Sequence, residues 1–191
     1  MKRVLVILCI LTYNVFAQTD QPKLVLGIVV DQMRYDYINR YWDDFSEGGF
    51  KQLVTKGYNC TNTHYNFIPT YTGPGHASIY TGATPSSHGI IANSWFNRST
   101  EKYNYCVSDS TMNTVGADNA SGKMSPSKML NTTFGDELRL FSMNRSKVIG
   151  VALKDRSAVL PAGHMGNSAF WLDSETGDFV SSSFYGAKLP K

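Results

Sequence analysis

The run Leu24-Val25-Leu26-Gly27-Ile28-Val29-Val30 ends abruptly at Asp31. It is continuous in apolar character, short, and rich in β-branched residues. Such a run predicts a strand buried on both faces, as in a parallel sheet covered by helices. Residues 147–153 (KVIGVAL) repeat the pattern and end at Lys154. Residues 35–45, 49–56, 73–80 and 133–141 read as helices, with Gly57 and Gly82 placed to close two of them. Residues 58–65 read as a second strand, 90–95 and 103–107 as strand material, and 170–185 as a hairpin around Glu175-Thr176-Gly177. Residues 108–128, rich in Ser, Asn, Gly and Lys, read as a surface excursion. Strands alternating with helices predict the α/β class: an open, mostly parallel sheet flanked by helices. Chemistry in such sheets gathers at the carboxyl ends of the strands, where Asp31 and Lys154 stand. After the hairpin no closing helix follows, so the sheet is expected to be incomplete on its C-terminal side.

The chain has 191 residues, room for one domain. Its 13% aromatic content excludes a disordered chain, which could not retain so much apolar side chain in water. A net charge of +3 leaves no electrostatic footprint for nucleic acid. Lys2 and Arg3, the apolar residues 4–11 and the small-residue end at Ala17 read as a signal peptide, residues 1–17. Its apolar run is too short to span a bilayer, and no other stretch is long enough. The expected location is therefore periplasmic or extracellular. In an exported chain the remaining pair, Cys60 and Cys106, is a disulfide candidate, with two buried thiols as the other reading.

Several residues have chemistry to offer, and each has a plainer reading. Asp31 is a turn residue or a metal ligand, since zinc and hard divalent cations both accept a carboxylate. Thr72 lies in Pro69-Thr70-Tyr71-Thr72-Gly73-Pro74-Gly75-His76, directly before a Gly-Pro helix start. Outward-pointing amides there would favour an anion. The hydroxyl serves as a nucleophile if a metal or base takes its proton, or as an ordinary N-cap. Asn93 is a phosphate donor or a surface amide. Lys154 and Arg156, two apart on an extended segment, would face one side and grip one phosphate. The other reading is an exposed loop with Lys154 paired to Asp155.

The order of these residues carries more than any one of them. Asp31 after an apolar strand, residues 69–78 (PTYTGPGHAS) and residues 81–93 (TGATPSSHGIIAN) together resemble the alkaline phosphatase superfamily. Within it the chain is similar to the type I phosphodiesterase and nucleotide pyrophosphatase branch. With Lys154-x-Arg156 it looks most like the secreted threonine-nucleophile alkaline phosphatases of Bacteroidetes, the PafA type. The resemblance runs from about Lys23 to the end. It implies an alkaline-phosphatase-like fold and zinc-dependent hydrolysis of a small phosphate monoester. It implies Thr72 as nucleophile, forming a phosphothreonine intermediate, and two zinc ions, one ligated by Asp31 and Thr72. It implies Asn93, Lys154 and Arg156 as contacts to the phosphoryl group.

The resemblance also calls for later Asp-x-x-x-His and Asp-His motifs and a late His, which this sequence lacks. His76 and His88 are read as structural, and His164 as a loop residue. Residues 18–191 are thus expected to be the N-terminal part of a catalytic domain, inactive alone. The alternatives are a phosphodiesterase or nucleotide pyrophosphatase of the same superfamily, and a truncated, exported phosphate-binding chain. Oligomeric state is not legible from the sequence.

Overall fold

The computed structural model describes residues 22–190, so the expected signal peptide at residues 1–17 lies outside the described residues. The chain divides into two compact units, Met1–Gly57 and Tyr58–Lys191.

In the first unit, α1 (Tyr37–Arg40) leads into a 3-10 turn, Trp42–Asp44, and α2 follows (Phe50–Lys56). The Gly57 amide closes α2 on the Leu53 carbonyl at 2.9 Å, in keeping with the expected cap. Phe45 and Phe50 pack with ring centroids 5.1 Å apart, which fixes the entry into α2. Residues 24–30 correct the sequence reading. They form no strand, and Leu24, Leu26 and Ile28 stand 79%, 74% and 74% exposed. A strand exists only as a member of a ladder, and no described residue pairs with this segment. Apolar patterning supplies the side chains of a buried strand but not its hydrogen-bond partners.

The second unit holds two sheets. A hairpin of β1 (Ser94–Asn97) and β2 (Lys102–Tyr105) pairs antiparallel. The larger sheet contains β3 (Thr114–Val115), β4 (Ile149–Ala152), β5 (Ser168–Leu172) and β6 (Phe179–Ser182), in the order β3-β6-β5-β4. Only β4 and β5 are parallel, so the class is α/β as expected but the sheet is mixed rather than mostly parallel. Four helices accompany it in this unit: α3 (Thr72–Thr81), α4 (Pro85–His88), α5 (Phe134–Phe141) and α6 (Asp155–Ala162). The predicted strand at residues 58–65 is irregular chain.

The β4–α6–β5 crossover is the centre of the packing. Ala158, Val159, Leu160 and Ala162 of α6 are buried against Ala169 and Trp171 of β5 and Val180 of β6. A parallel pair cannot be joined by a tight turn, so a crossover helix must intervene. The sequence reading missed α6 because Lys154-Asp155-Arg156 looks like loop and Pro161 looks like a breaker. Pro161 lies inside the helix and forgoes the amide bond to the Ser157 carbonyl, so packing on the sheet rather than local preference holds α6. Gly150 explains the close seat of α6 on β4. A Cβ there would lie 2.3 Å from the Ala158 carbonyl oxygen. The other face of β4 is open, with Ile149 60% and Val151 63% exposed, so this strand buries one face rather than the expected two.

Two further segments show how polar residues enter the core. Thr133 caps α5 in a reciprocal box: its hydroxyl accepts from the Asp136 amide at 3.1 Å and its amide donates to Asp136 Oδ2 at 2.8 Å. The buried Asp136 also accepts the Met165 amide at 2.6 Å and the His164 amide at 3.2 Å, tying the loop after α6 to the start of α5. Residues 108–128 are more than an excursion, since they contain β3 and its ladder to β6. Asn119 and Ser121 donate to the buried Asp173 at 2.7 and 2.8 Å, which is where their polarity goes.

Candidate active site

Thr72 is the first residue of α3, and Tyr71 in extended conformation occupies the capping position. The plainer reading of Thr72 as the N-cap therefore gives way. The helix TGPGHASIYT has weak intrinsic propensity, and packing against α6 holds it. Gly82, at φ 67°, ends it in the left-handed region. Residues 73–77 are buried while Thr72 is half-buried, so its hydroxyl lies at the rim of the packed helix.

Residues 73–75 at the start of α3 do not offer open amides to an anion. The Gly73 amide donates to Asn93 Oδ1 at 2.7 Å, Pro74 has no amide hydrogen, and the Gly75 amide closes on the Tyr71 carbonyl at 2.9 Å. The first of these bonds orients Asn93. With Oδ1 engaged by Gly73, its amide nitrogen is the end left to donate. A Cβ on Gly73 would lie 3.1 Å from Asn93 Oδ1 and 3.3 Å from Cys106 Sγ, so the glycine permits this approach.

Asn93 connects onward. Its carbonyl accepts the Cys106 amide at 2.9 Å, and the neighbouring Ser94 pairs with Tyr105 in the β1–β2 ladder. The Tyr105 hydroxyl donates to Asp155 Oδ1 in a short hydrogen bond and accepts from Arg156 Nη1 at 3.0 Å. Gly73, which follows Thr72 in the chain, Asn93 and Arg156 thus belong to one continuous set of contacts. Burial, and then the Asp155 charge, push the Tyr105 phenol up, so it stays a donor. Burial opposes the charge of Arg156, but the Tyr105 hydroxyl and the Asp155 charge outweigh it and raise its pKa. Burial also pushes the Cys106 thiol up to about 12, which leaves it a neutral packing group.

Lys154 caps α6 with extended backbone, and Arg156 sits one residue inside the helix. The expectation that both face one side of an extended segment does not carry across a helix start. Lys154 is exposed, and Asp155 faces Tyr105 rather than Lys154. Asp31 belongs to the first unit, is exposed, and accepts the Gln32 amide at 3.1 Å. Cys60 and Cys106 are separate thiols, so the disulfide candidate is corrected. Cys60 is exposed while Cys106 is buried under Gly73.

The histidines carry structural bonds. His76 Nδ1 donates to the Thr72 carbonyl at 2.8 Å. His88 is fully buried; its Nδ1 accepts the Ile90 amide at 3.1 Å, so its Nε2 carries the hydrogen given to Ser78 Oγ at 2.9 Å. Among the described residues no three His, Cys, Asp or Glu side chains gather as a metal site. The residues described here therefore do not by themselves fit the two-zinc cage. Tyr105 and Asp155 are the site residues that sequence reading missed. A tyrosine in a strand has no local mark of function, and its partner lies 51 residues away.

Residues 25–185 match the family model described as type I phosphodiesterase / nucleotide pyrophosphatase. Alkaline phosphatase PafA of Elizabethkingia meningoseptica is 48% identical over 90% of this chain and 32% of its own length. Alkaline phosphatase PhoV of Synechococcus elongatus is 48% identical over 93% of this chain and 32% of its own. A Myroides odoratus protein named calcium-transporting ATPase is 45% identical over 96% of this chain and 34% of its own. The chain thus spans about a third of the length of the curated relatives it matches. The crystal structure of wild-type PafA superposes with a TM-score of 0.89 at 48% identity, covering 91% of this chain and 34% of that one. A solved PafA variant carries substitutions at one threonine, one asparagine, one lysine and one arginine. Its threonine-to-asparagine and lysine-to-arginine spacings equal those of Thr72 to Asn93 and Lys154 to Arg156.

Proposed function

The chain belongs to the type I phosphodiesterase and nucleotide pyrophosphatase family, and on that footing we propose that the protein carrying it is an alkaline phosphatase hydrolysing small phosphate monoesters. The observation that carries this reading is the contact set running from Gly73, the residue after Thr72, through Asn93 and Tyr105 to Arg156. In it an amide donor and a guanidinium are tied to the backbone next to the Thr72 hydroxyl.

In the proposed reaction the Thr72 oxygen attacks phosphorus in line. A bond forms from Thr72 Oγ to phosphorus, the bond from phosphorus to the ester oxygen breaks, and the alcohol leaves. Water then cleaves the phosphothreonine and regenerates the hydroxyl. Asn93 donates to one phosphoryl oxygen. Arg156 and Lys154 meet the charge that a monoester carries in excess of a diester. Their role is sharpened by the Gly73 and Gly75 amides being already engaged. Zinc belongs to the proposal for the whole protein, with Asp31 and Thr72 as the ligands this chain would offer toward one ion. Export through residues 1–17 belongs to it as well, and a secreted product beginning at Gln18 would bear that out.

The family's name keeps a diesterase reading in view. Turnover of an aryl phosphate monoester and the matching diester by the full-length protein separates the two. Under the monoester reading, Thr72→Ala removes both activities. Arg156→Ala and Lys154→Ala each lower monoester kcat/KM by about tenfold or more and diester kcat/KM far less. Dominant diester turnover that both cation variants spare would sink the monoester reading.

A further inference from the structure

We propose that Tyr105 is a positioning residue for phosphoryl transfer, its hydroxyl anchoring the Arg156 guanidinium and keeping Asp155 from capturing it. The inference rests on the phosphate-binding role proposed for Arg156.

Tyr105 is the single hydrogen-bond partner of the Arg156 side chain among the described residues. The contact is Nη1 to the phenol oxygen at 3.0 Å, and the buried Nε has no partner. A guanidinium offers five N–H groups in a rigid fork. One anchor fixes the plane of the fork and leaves the other terminal N–H groups for a ligand. Asp155 is adjacent in sequence and would be the natural competitor. Yet it makes no ion pair with Arg156, because its Oδ1 accepts the Tyr105 hydroxyl and the Arg156 backbone amide, the latter at 2.6 Å. A direct carboxylate–guanidinium pair would take up two parallel N–H groups of the fork. The phenol, interposed, engages Oδ1 of the carboxylate and leaves the fork open. Burial and the Asp155 charge keep that phenol protonated, as this double role requires.

The backbone adds a second constraint. Tyr105 pairs with Ser94, and the next amide, Cys106, holds the Asn93 carbonyl at 2.9 Å. The end of β2 therefore sets the amide donor and the guanidinium in one frame.

Tyr105→Phe removes the hydroxyl and keeps the ring. Its expected effect is a loss of about tenfold in monoester kcat/KM in the full-length enzyme, the worth of a hydrogen bond to a charged group. The diester should lose much less, so the monoester-to-diester ratio falls. Because that ratio is taken within one variant, it does not depend on how much of the preparation is folded. In an Arg156→Ala background, Tyr105→Phe should change nothing further. Adding Asp155→Asn to Tyr105→Phe should restore part of the ratio, since the competing charge is gone. A ratio unchanged by Tyr105→Phe, or a loss equal in the Arg156→Ala background, overturns the proposal and leaves Tyr105 a packing residue. Should Arg156→Ala itself leave monoester turnover intact, the role of Arg156 fails, and that of Tyr105 with it.

Discussion

His88 shows how much a single buried ring can contribute. Both its nitrogens are committed, one accepting from Ile90 and the other donating to Ser78. Burial lowers its pKa below the ordinary 6.5, outweighing the backbone hydrogen bond that raises it. The folded state therefore holds the neutral ring, while the unfolded chain takes up a proton on acidification. The His88 contribution to stability is fully present above 6.5 and is lost as pH falls toward the depressed folded value. Denaturant midpoints taken between about pH 7 and about pH 5 should fall with acidity, and the slope should flatten in His88→Gln. An unaltered slope in that variant would assign the acid sensitivity to other groups. Thr72 and Asn93 make the complementary point. Their motifs were legible as spelled, but the engagement of the Gly73 amide by Asn93 was not, because local sequence does not say which loop folds back on a helix start.

At the scale of elements, α6 matters most. It covers β4 and β5, backs α3, and presents Arg156 from its first turn. Gly150→Ala would push a methyl group 2.3 Å from the Ala158 carbonyl and lift α6 off the sheet. The expected cost is about 3 kcal/mol, read as a lower urea midpoint with an unchanged slope. A midpoint like that of the parent would mean that α6 is not seated on β4 as described. The hairpin β5–β6 was readable around Glu175-Thr176-Gly177, and α5 as a helix over residues 133–141. The helix α6 was not, since its first residues are charged and its last turn contains Pro161. Packing on a sheet overrode that weak local preference.

For the whole molecule, the distribution of metal-binding side chains carries the consequence. The described residues gather no set of three such groups, and no described helix is long and apolar enough to cross a membrane. These 191 residues alone are accordingly expected to leave an aryl phosphate intact and to show no tight zinc binding by calorimetry. Zinc-dependent turnover by this chain alone would refute that expectation. The sequence by itself determined the α/β class, the family and the residues with chemistry to offer, because these follow from short-range patterning and motif spelling. Only the tertiary structure decided how they are wired. It left residues 24–30 without a ladder, mixed the sheet, separated Cys60 from Cys106, and set Tyr105 between Asp155 and Arg156. The physical reason is common to all four: strand pairing, thiol approach and a shared hydroxyl join groups distant along the chain, and composition and periodicity carry no record of such partners.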